Sequence, residues 1–228
     1  MFTYIVIGGL GTNRKYYYDF INQLGKKNVR FFELKNGSNH IISLVKYINS
    51  IKQPYNIISF SLGCVLVMKT LLLINQKPKG IYFINPSNVV VDLCIHEQPY
   101  KWLWLIPDIV KRLYLKYYYH KYVGIKLEEP KELMNHIITK PYTYWKDLII
   151  DIHQNFTWFH ATNKIKDGMF KITIISGNND RYNLFANILN DLYPEVYQLK
   201  QFSGQHHLIY THMNEIVSTI KQKDIYGF

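Results

Sequence analysis

Cysteine is scarce in this chain of 228 residues, where only Cys64 and Cys94 occur. This excludes a disulfide-stabilised scaffold and favours a reducing, cytoplasmic location. Long apolar runs are also absent. The best candidate, residues 64–74, is interrupted by Lys69, and a transmembrane helix needs about 18 apolar residues. The N-terminal residues carry no positive charge ahead of their apolar stretch, so we expect neither a membrane span nor a secretory signal.

Negative charge is limited as well, since 16 Asp and Glu residues stand against 27 Lys and Arg residues and leave a net charge of +11. Such a balance can attract acidic substrates or support weak, salt-sensitive binding to polyanions. The basic residues form no long block, so we expect a lysine-rich surface and no specific nucleic-acid partner. The apolar fraction of 48% excludes intrinsic disorder. The oligomeric state stays open.

Short apolar runs alternate with longer amphipathic segments over most of the chain. This pattern predicts strands at 4–7, 29–34, 55–60, 80–84, 169–175 and 195–202, and helices at 16–24, 38–51, 62–75, 184–192 and 214–221. Ser38 is the predicted N-cap of the second helix. Short connections between strands and helices favour parallel pairing. We therefore predict one α/β domain, residues 1–228, with a mostly parallel sheet of about six strands flanked by helices.

The alternation is interrupted at residues 90–168. This segment is rich in aromatic residues, has a mostly helical pattern and contains several prolines, so we expect a helical lid inserted into the α/β domain. Its aromatic side chains are expected to pack the lid helices on the core, and as a group they could line an apolar acyl pocket. They are Trp102, Trp104, Tyr117 to Tyr119, Trp145, Phe156, Trp158 and Phe159.

Ser61 lies in the pentapeptide Ser-Phe-Ser-Leu-Gly, residues 59–63, between an apolar strand and a buried helix. A serine hydroxyl becomes a useful nucleophile when a base removes its proton and the backbone exposes it. A tight strand-to-helix turn provides that exposure, and it needs small residues because strand and helix pass close together. Ser59 and Gly63 meet this requirement. The helix N-terminus also directs free amides at a developing oxyanion.

This pentapeptide resembles the nucleophile elbow of the α/β-hydrolases, which reads G-x-S-x-G on a strand–turn–helix. Ser59 stands where the family usually has glycine. The family's chain order is nucleophile, acid, histidine, and this order implies Asp180, in the loop after a late strand, as the acid. A turn-capping role is the alternative for Asp180.

The same order places the base in the loop 203–207, which precedes the last helix and contains two adjacent histidines. The distance along the chain to the last helix favours His206, whereas the distance from Phe202 favours His207. We adopt His206 as the base, with His207 as the alternative. The base takes the serine proton and is oriented by the carboxylate.

A glycine-rich loop, residues 8–11, occupies the position of the family's H-G-x loop after the first strand. The resemblance implies that the backbone amides of Leu10 and Leu62 form the oxyanion hole. Gly8 replaces a common histidine, so we expect one loop-stabilising hydrogen bond to be missing. A dinucleotide site is the alternative, but Arg14 stands where the motif G-x-G-x-x-G needs its third glycine.

Together these features predict a serine hydrolase that cleaves an ester or thioester of a small-molecule or acyl substrate. The resemblance implies no cofactor and no metal. Cys64 is expected to pack as a small apolar residue inside the helix. Because Ser59 and Gly8 depart from the family pattern, the alternative is a catalytically inactive protein of the same fold that acts by binding.

Overall fold

The computed structural model describes residues 2–35, 39–87, 107, 109–110, 113, 142–166, 168, 170–180 and 182–226. Several residues singled out above lie outside the described residues, namely Ser38, Cys94, Trp102, Trp104 and Tyr117 to Tyr119. No helix in the described part of the chain is both long enough and apolar enough to cross a membrane.

Six strands form a single parallel sheet in the order β2-β1-β3-β4-β5-β6. They are β1 (Thr3–Ile7), β2 (Val29–Phe32), β3 (Tyr55–Phe60), β4 (Gly80–Ile84), β5 (Ile172–Gly177) and β6 (Tyr197–Phe202). The prediction of a parallel α/β sheet of six strands is confirmed. The order reverses between β1 and β3, and open α/β sheets bind ligands beyond the carboxyl ends of their strands at such a point.

Eight helices occur in the described residues, in addition to a short 3₁₀ turn at Lys26–Asn28. They are α1 (Tyr18–Leu24), α2 (His40–Asn49), α3 (Leu62–Thr70), α4 (Tyr142–His153), α5 (Trp158–Lys166), α6 (Asn183–Leu192), α7 (Leu208–Thr211) and α8 (Met213–Tyr226). Helix α2 begins later than predicted, and its N-cap is Asn39 instead of Ser38, because the Asn39 side chain accepts a hydrogen bond from the Ile42 amide.

Helix α3 lies at the centre of the packing. Every residue of this helix is buried except Lys69, because the sheet covers one side and α4 and α5 cover another. Its buried side chains belong to the same core as those of β1 and β3, strands that are buried on both faces. A helix that is apolar all round is stable only in such a position.

The described C-terminal part of the predicted insertion, α4 and α5, packs on α3. The ammonium group of Lys69 donates to the carbonyl oxygens of Ile152 and Gln154, at 3.0 Å in each case. Trp158 is buried against Phe83 of β4, so it packs in the core. A lid role for residues 90–168 stays a prediction, since most of that segment lies outside the described residues.

Candidate active site

Ser61 occupies a sharp turn between β3 and α3. Its backbone has φ 47° and ψ −115°, a conformation that costs a residue with a side chain about 1–3 kcal/mol. The surrounding backbone holds the turn: the Ser61 amide donates to the Ile84 carbonyl at 3.0 Å, and the Cys64 amide donates to the Ser61 carbonyl at 3.1 Å. This places the serine side chain at the carboxyl edge of the sheet.

The small residues around Ser61 are required by close backbone contacts. A Cβ atom at Gly63 would lie 2.6 Å from the Gly8 carbonyl oxygen, so only glycine fits there. Ser59 is fully buried, and its hydroxyl donates to the Cys64 sulfur at 3.3 Å. The serine that departs from the family pattern therefore has its own partner and leaves the turn intact.

Cys64 packs inside α3, as expected for a small apolar residue. Burial raises the pKa of its thiol to about 12. The thiolate is the nucleophilic form of cysteine, so this thiol is not a candidate nucleophile near neutral pH.

Three of the predicted side chains meet at the carboxyl edge of the sheet. Nε2 of His206 lies 2.9 Å from the Ser61 hydroxyl oxygen, and Nδ1 of the same ring lies 2.9 Å from Oδ2 of Asp180. The Asp180 side chain is fully buried, whereas 13% of the His206 side chain is exposed. A continuous hydrogen-bonded path therefore runs from the buried carboxylate through the imidazole to the partly accessible hydroxyl.

The loop that carries Asp180 follows β5 directly. The other carboxylate oxygen of Asp180, Oδ1, accepts a hydrogen bond from the Tyr182 amide at 3.2 Å. The Asp180 amide donates to the Gly177 carbonyl at 3.0 Å. The bond from the Tyr182 amide is the turn-capping contact that was given above as the alternative role of Asp180. The carboxylate both closes its turn and holds His206.

The loop that carries Asp180 (residues 176–180, the acid loop) and the loop that carries His206 (residues 203–207, the histidine loop) are in contact through their backbones. A Cβ atom at Gly177 would lie 2.4 Å from the Gly204 carbonyl oxygen, and the Asn179 amide donates to the same carbonyl at 2.9 Å. The Asn178 side chain accepts from the Gly204 amide at 3.2 Å. Backbone contacts and the Asn178 side chain therefore join the two loops directly.

His207, the alternative base, takes a different position. Its Nδ1 is hydrogen-bonded to the Tyr16 hydroxyl, and its ring stacks edge-on against Tyr16 and His206, with centroid distances of 5.7 and 5.6 Å. Burial, together with the neighbouring His206, lowers the pKa of His207 well below its ordinary value. Between the two histidines left open above, the geometry joins His206 to Ser61.

The glycine-rich loop after β1 lies against the serine. A Cβ atom at Gly9 would be 3.3 Å from the Cβ of Ser61. The Thr12 hydroxyl donates to the Gly9 carbonyl at 2.8 Å, and the Gly9 amide donates to the Tyr17 hydroxyl at 3.1 Å. The Tyr17 hydroxyl in turn donates to Thr12 at 3.2 Å, which closes the network.

Thr12 and Tyr17 hold the loop in which Gly8 stands at the position of the family's common histidine. The Thr12 hydroxyl oxygen lies 2.7 Å from where a Cβ of residue 8 would be, so threonine fills that space. Burial raises the pKa of Tyr17, which keeps its hydroxyl protonated as a donor. Sequence reasoning missed Thr12 and Tyr17, and no motif in the chain marks them.

The two predicted oxyanion amides belong to residues that follow the contact between Gly9 and Ser61 in the chain: Leu10 comes after Gly9, and Leu62 comes directly after Ser61. Because the Gly9 amide already donates to Tyr17, it is not a candidate oxyanion donor. The next amide along this loop is that of Leu10. Leu62 is the first residue of α3, and the first amides of a helix have no intrahelical acceptor. In the described ranges, no group of three His, Cys, Asp or Glu side chains could hold a metal ion.

No family model and no curated protein sequence matches this chain. Solved structures resemble it over nearly its whole length. MenH from S. aureus has a TM-score of 0.72 at 14% identity and covers 96% of this chain and 92% of its own. A carboxylesterase structure from the thaumarchaeon Nitrososphaera gargenis has a TM-score of 0.67 at 14% identity, with 97% and 89% covered. The thioesterase domain from the curacin biosynthetic pathway has a TM-score of 0.64 at 11% identity, with 96% and 90% covered.

Proposed function

We propose that this chain, which has the α/β-hydrolase fold, is a serine hydrolase that cleaves a carboxylic ester or thioester. One observation carries the proposal: the path from Asp180 through His206 to Ser61, with 2.9 Å between the partners at each step. Serine, histidine and a buried carboxylate in this arrangement activate a hydroxyl for acyl transfer.

In the first step, the Ser61 oxygen attacks the substrate carbonyl carbon while Nε2 of His206 accepts the serine proton. Asp180 keeps the ring oriented through Nδ1 and stabilises the imidazolium that forms. The carbonyl electron pair moves onto its oxygen, and the amides of Leu10 and Leu62 stabilise the resulting charge. The Leu10 amide adjoins Gly9, which Tyr17 and Thr12 hold, and the Leu62 amide lies at the start of α3.

In the second step, the tetrahedral intermediate collapses, and His206 returns the proton to the departing alcohol or thiol. The acyl group stays on Ser61. A water molecule then attacks the acyl carbon, giving its proton to His206, and the second collapse releases the acid and restores the serine hydroxyl. All proton transfers use residues of this chain.

The structural neighbours support the same substrate class. They include a carboxylesterase and a thioesterase domain, and both names describe hydrolysis of an acyl bond. An apolar acyl pocket formed with residues 90–168 remains part of the proposal. Of the aromatic residues named for it, Trp158 packs against the core, while Phe159 is about half exposed.

The alternative of an inactive binding protein was based on two departures from the family motif. Ser59 is satisfied by Cys64, and Thr12 and Tyr17 hold the loop at Gly8. Neither departure disturbs the path to Ser61, so the hydrolase is favoured over the binding protein.

Turnover of a short-chain p-nitrophenyl ester separates the two functions. We expect hydrolysis by the full-length protein and its loss, by a factor of about 10³ or more, in Ser61→Ala and in Asp180→Asn. Ser50→Ala, which changes an exposed serine, is the matched control and keeps full activity. Equal turnover by wild type and Ser61→Ala would show that the hydrolase proposal is wrong.

A further inference from the structure

Asn85 follows β4 and is almost fully buried, and the hydrogen bonds of its side chain go to backbone groups and not to the Ser61 hydroxyl or the Asp180 carboxylate. We propose that Asn85 is a positioning residue that holds the acid loop and the histidine loop together, so that His206 bridges Asp180 and Ser61. The inference rests on the proposed function, since it explains how that site is kept in order.

The Asn85 side chain bonds to both loops. Its Oδ1 accepts from the Gly177 amide of the acid loop at 2.9 Å. Its Nδ2 donates to the carbonyl oxygens of Gln205, at 3.3 Å, and His206. One amide group therefore fixes the backbone three residues before Asp180 and the backbone of the base itself.

The backbone of residues 84 and 85 also bonds to strand β5 and to the turn that carries Ser61. The Asn85 amide donates to the Ile175 carbonyl of β5 at 2.8 Å, and the carbonyl of the preceding residue, Ile84, accepts from the Ser61 amide at 3.0 Å. Residues 84 and 85 thus contact the nucleophile turn, the acid strand and the histidine loop.

Asparagine suits this position for two physical reasons. Its backbone has φ 46°, in the left-handed region that asparagine tolerates better than most residues. Its amide presents an acceptor to an N–H and a donor to two carbonyls at the same time. Aspartate has the same shape but no donor when ionised, and its charge would face the carbonyl oxygens of Gln205 and His206.

The test compares Asn85→Asp and Asn85→Gly with wild type in the full-length protein. Asn85→Asp keeps the shape and removes the donor, while Asn85→Gly keeps the backbone conformation and removes the side chain. Asn155→Asp is the matched control, because Asn155 also has a positive φ, of 56°, but is exposed. The measurements are ester kcat and KM, the rate of labelling by a fluorophosphonate, and the melting temperature.

A spectroscopic measurement reports the geometry without catalysis. The proton between Nδ1 of His206 and Asp180 gives a far-downfield ¹H NMR resonance when the two groups are bonded. We expect both Asn85 variants to shift or broaden this resonance, because the His206 backbone loses its anchor. A role limited to stability would lower the melting temperature and leave the resonance of the folded protein unchanged.

We expect kcat and the labelling rate to fall about tenfold or more in both variants, with KM unchanged, because small displacements of catalytic groups are costly. Asn155→Asp should match wild type. If Asn85→Asp does not fold, Asn85→Gly decides by the same criteria. Wild-type rates and an unmoved resonance in the folded variants would overturn the proposal. If wild type itself is not labelled, the hydrolase proposal fails, and the resonance still decides the role of Asn85.

Discussion

At the scale of single residues, the site depends on groups that sequence motifs do not mark. Tyr17 and Thr12 hold the backbone of Gly9 on both sides. The Gly9 amide donates to the Tyr17 hydroxyl, and the Gly9 carbonyl accepts from the Thr12 hydroxyl. The next amide, that of Leu10, is the proposed oxyanion donor, so its direction depends on how the Gly9 peptide is held. We therefore expect the Tyr17 and Thr12 side chains to affect the position of the proposed oxyanion hole.

Tyr17→Phe tests this dependence. Removing the hydroxyl leaves the buried Gly9 amide without its partner, which costs about 1–3 kcal/mol of stability and loosens the loop. We expect kcat for the ester to fall about tenfold with little change in KM, since the negative charge on the oxygen develops during the attack and is absent from the bound ester. Tyr18→Phe, at an exposed neighbouring position, is the control and should behave as wild type. Equal kcat values for the two variants would contradict this role.

His207 predicts a pH dependence of stability. Its pKa in the folded protein is well below the ordinary value of 6.5, so the unfolded chain binds this proton more readily. Stability is therefore lost as pH falls below about 6.5, and the loss from one such group approaches 1.4 kcal/mol per pH unit. Urea unfolding between pH 7.5 and 5 should show a shallower decline in His207→Gln than in wild type.

The control for that experiment is His160→Gln, because His160 is exposed. Its stability should follow the wild-type pH dependence. If the stabilities of His207→Gln and His160→Gln decline with the same slope, His207 does not enter the folded state as a neutral imidazole.

At the scale of elements, burial explains which bounds could be predicted. Strands β3 and β4 have the predicted bounds, because both lie inside the sheet and are buried along nearly their whole length. Helix α3 ends at Thr70 although the apolar run continues, and Leu72 and Leu73 are exposed. An apolar pattern cannot show where a buried helix meets solvent, so helix ends needed the structure.

Some residues of the candidate site could likewise be predicted from the sequence, and others could not. Ser61, Asp180 and His206, with His207 as the alternative base, could be chosen from the resemblance to the α/β-hydrolase motif and chain order. The structure brings the first three together. Asn85 could not be chosen, because its role arises from contacts with residues 92, 120 and 121 positions away. No local motif records such long-range contacts.

Lys69 carries a prediction about how elements dock. Its ammonium group bonds the two carbonyls at the end of α4 and so ties α4 to α3. Lys69→Met should lower the free energy of unfolding by about 1–2 kcal/mol and speed amide exchange at 142–154, because hydrogen bonds from charged donors are lost. Lys46→Met, on the exposed side of α2, is the control. Unchanged exchange at 142–154 in Lys69→Met would show that α4 is held by apolar packing alone.

At the scale of the whole molecule, the parallel sheet gathers the site from distant segments. The loops after β1, β3, β5 and β6 all begin at the carboxyl edge of the parallel sheet, so residues as far apart in the chain as 9 and 206 lie together there. The same molecule carries a net charge of +11. A positive field of this size attracts anionic substrates over a distance that salt shortens.

The charge predicts a difference between two substrates. For an ester with a carboxylate in its acyl or leaving part, kcat/KM should fall several-fold as ionic strength rises from 20 to 300 mM, because screening removes the attraction. For a neutral ester of similar size it should stay constant. Parallel salt titrations of both substrates provide the check, and identical profiles would assign the basic surface no part in substrate capture.

The central claim is that the Ser61 hydroxyl is a nucleophile activated by His206. Intact-mass and peptide mass spectrometry after treatment with a fluorophosphonate tests it most directly. We expect a single adduct on the peptide that contains Ser61, absent in Ser61→Ala and formed at least a hundredfold more slowly in His206→Ala. If a folded wild-type protein forms no adduct, or forms it on another residue, Ser61 is not the activated nucleophile.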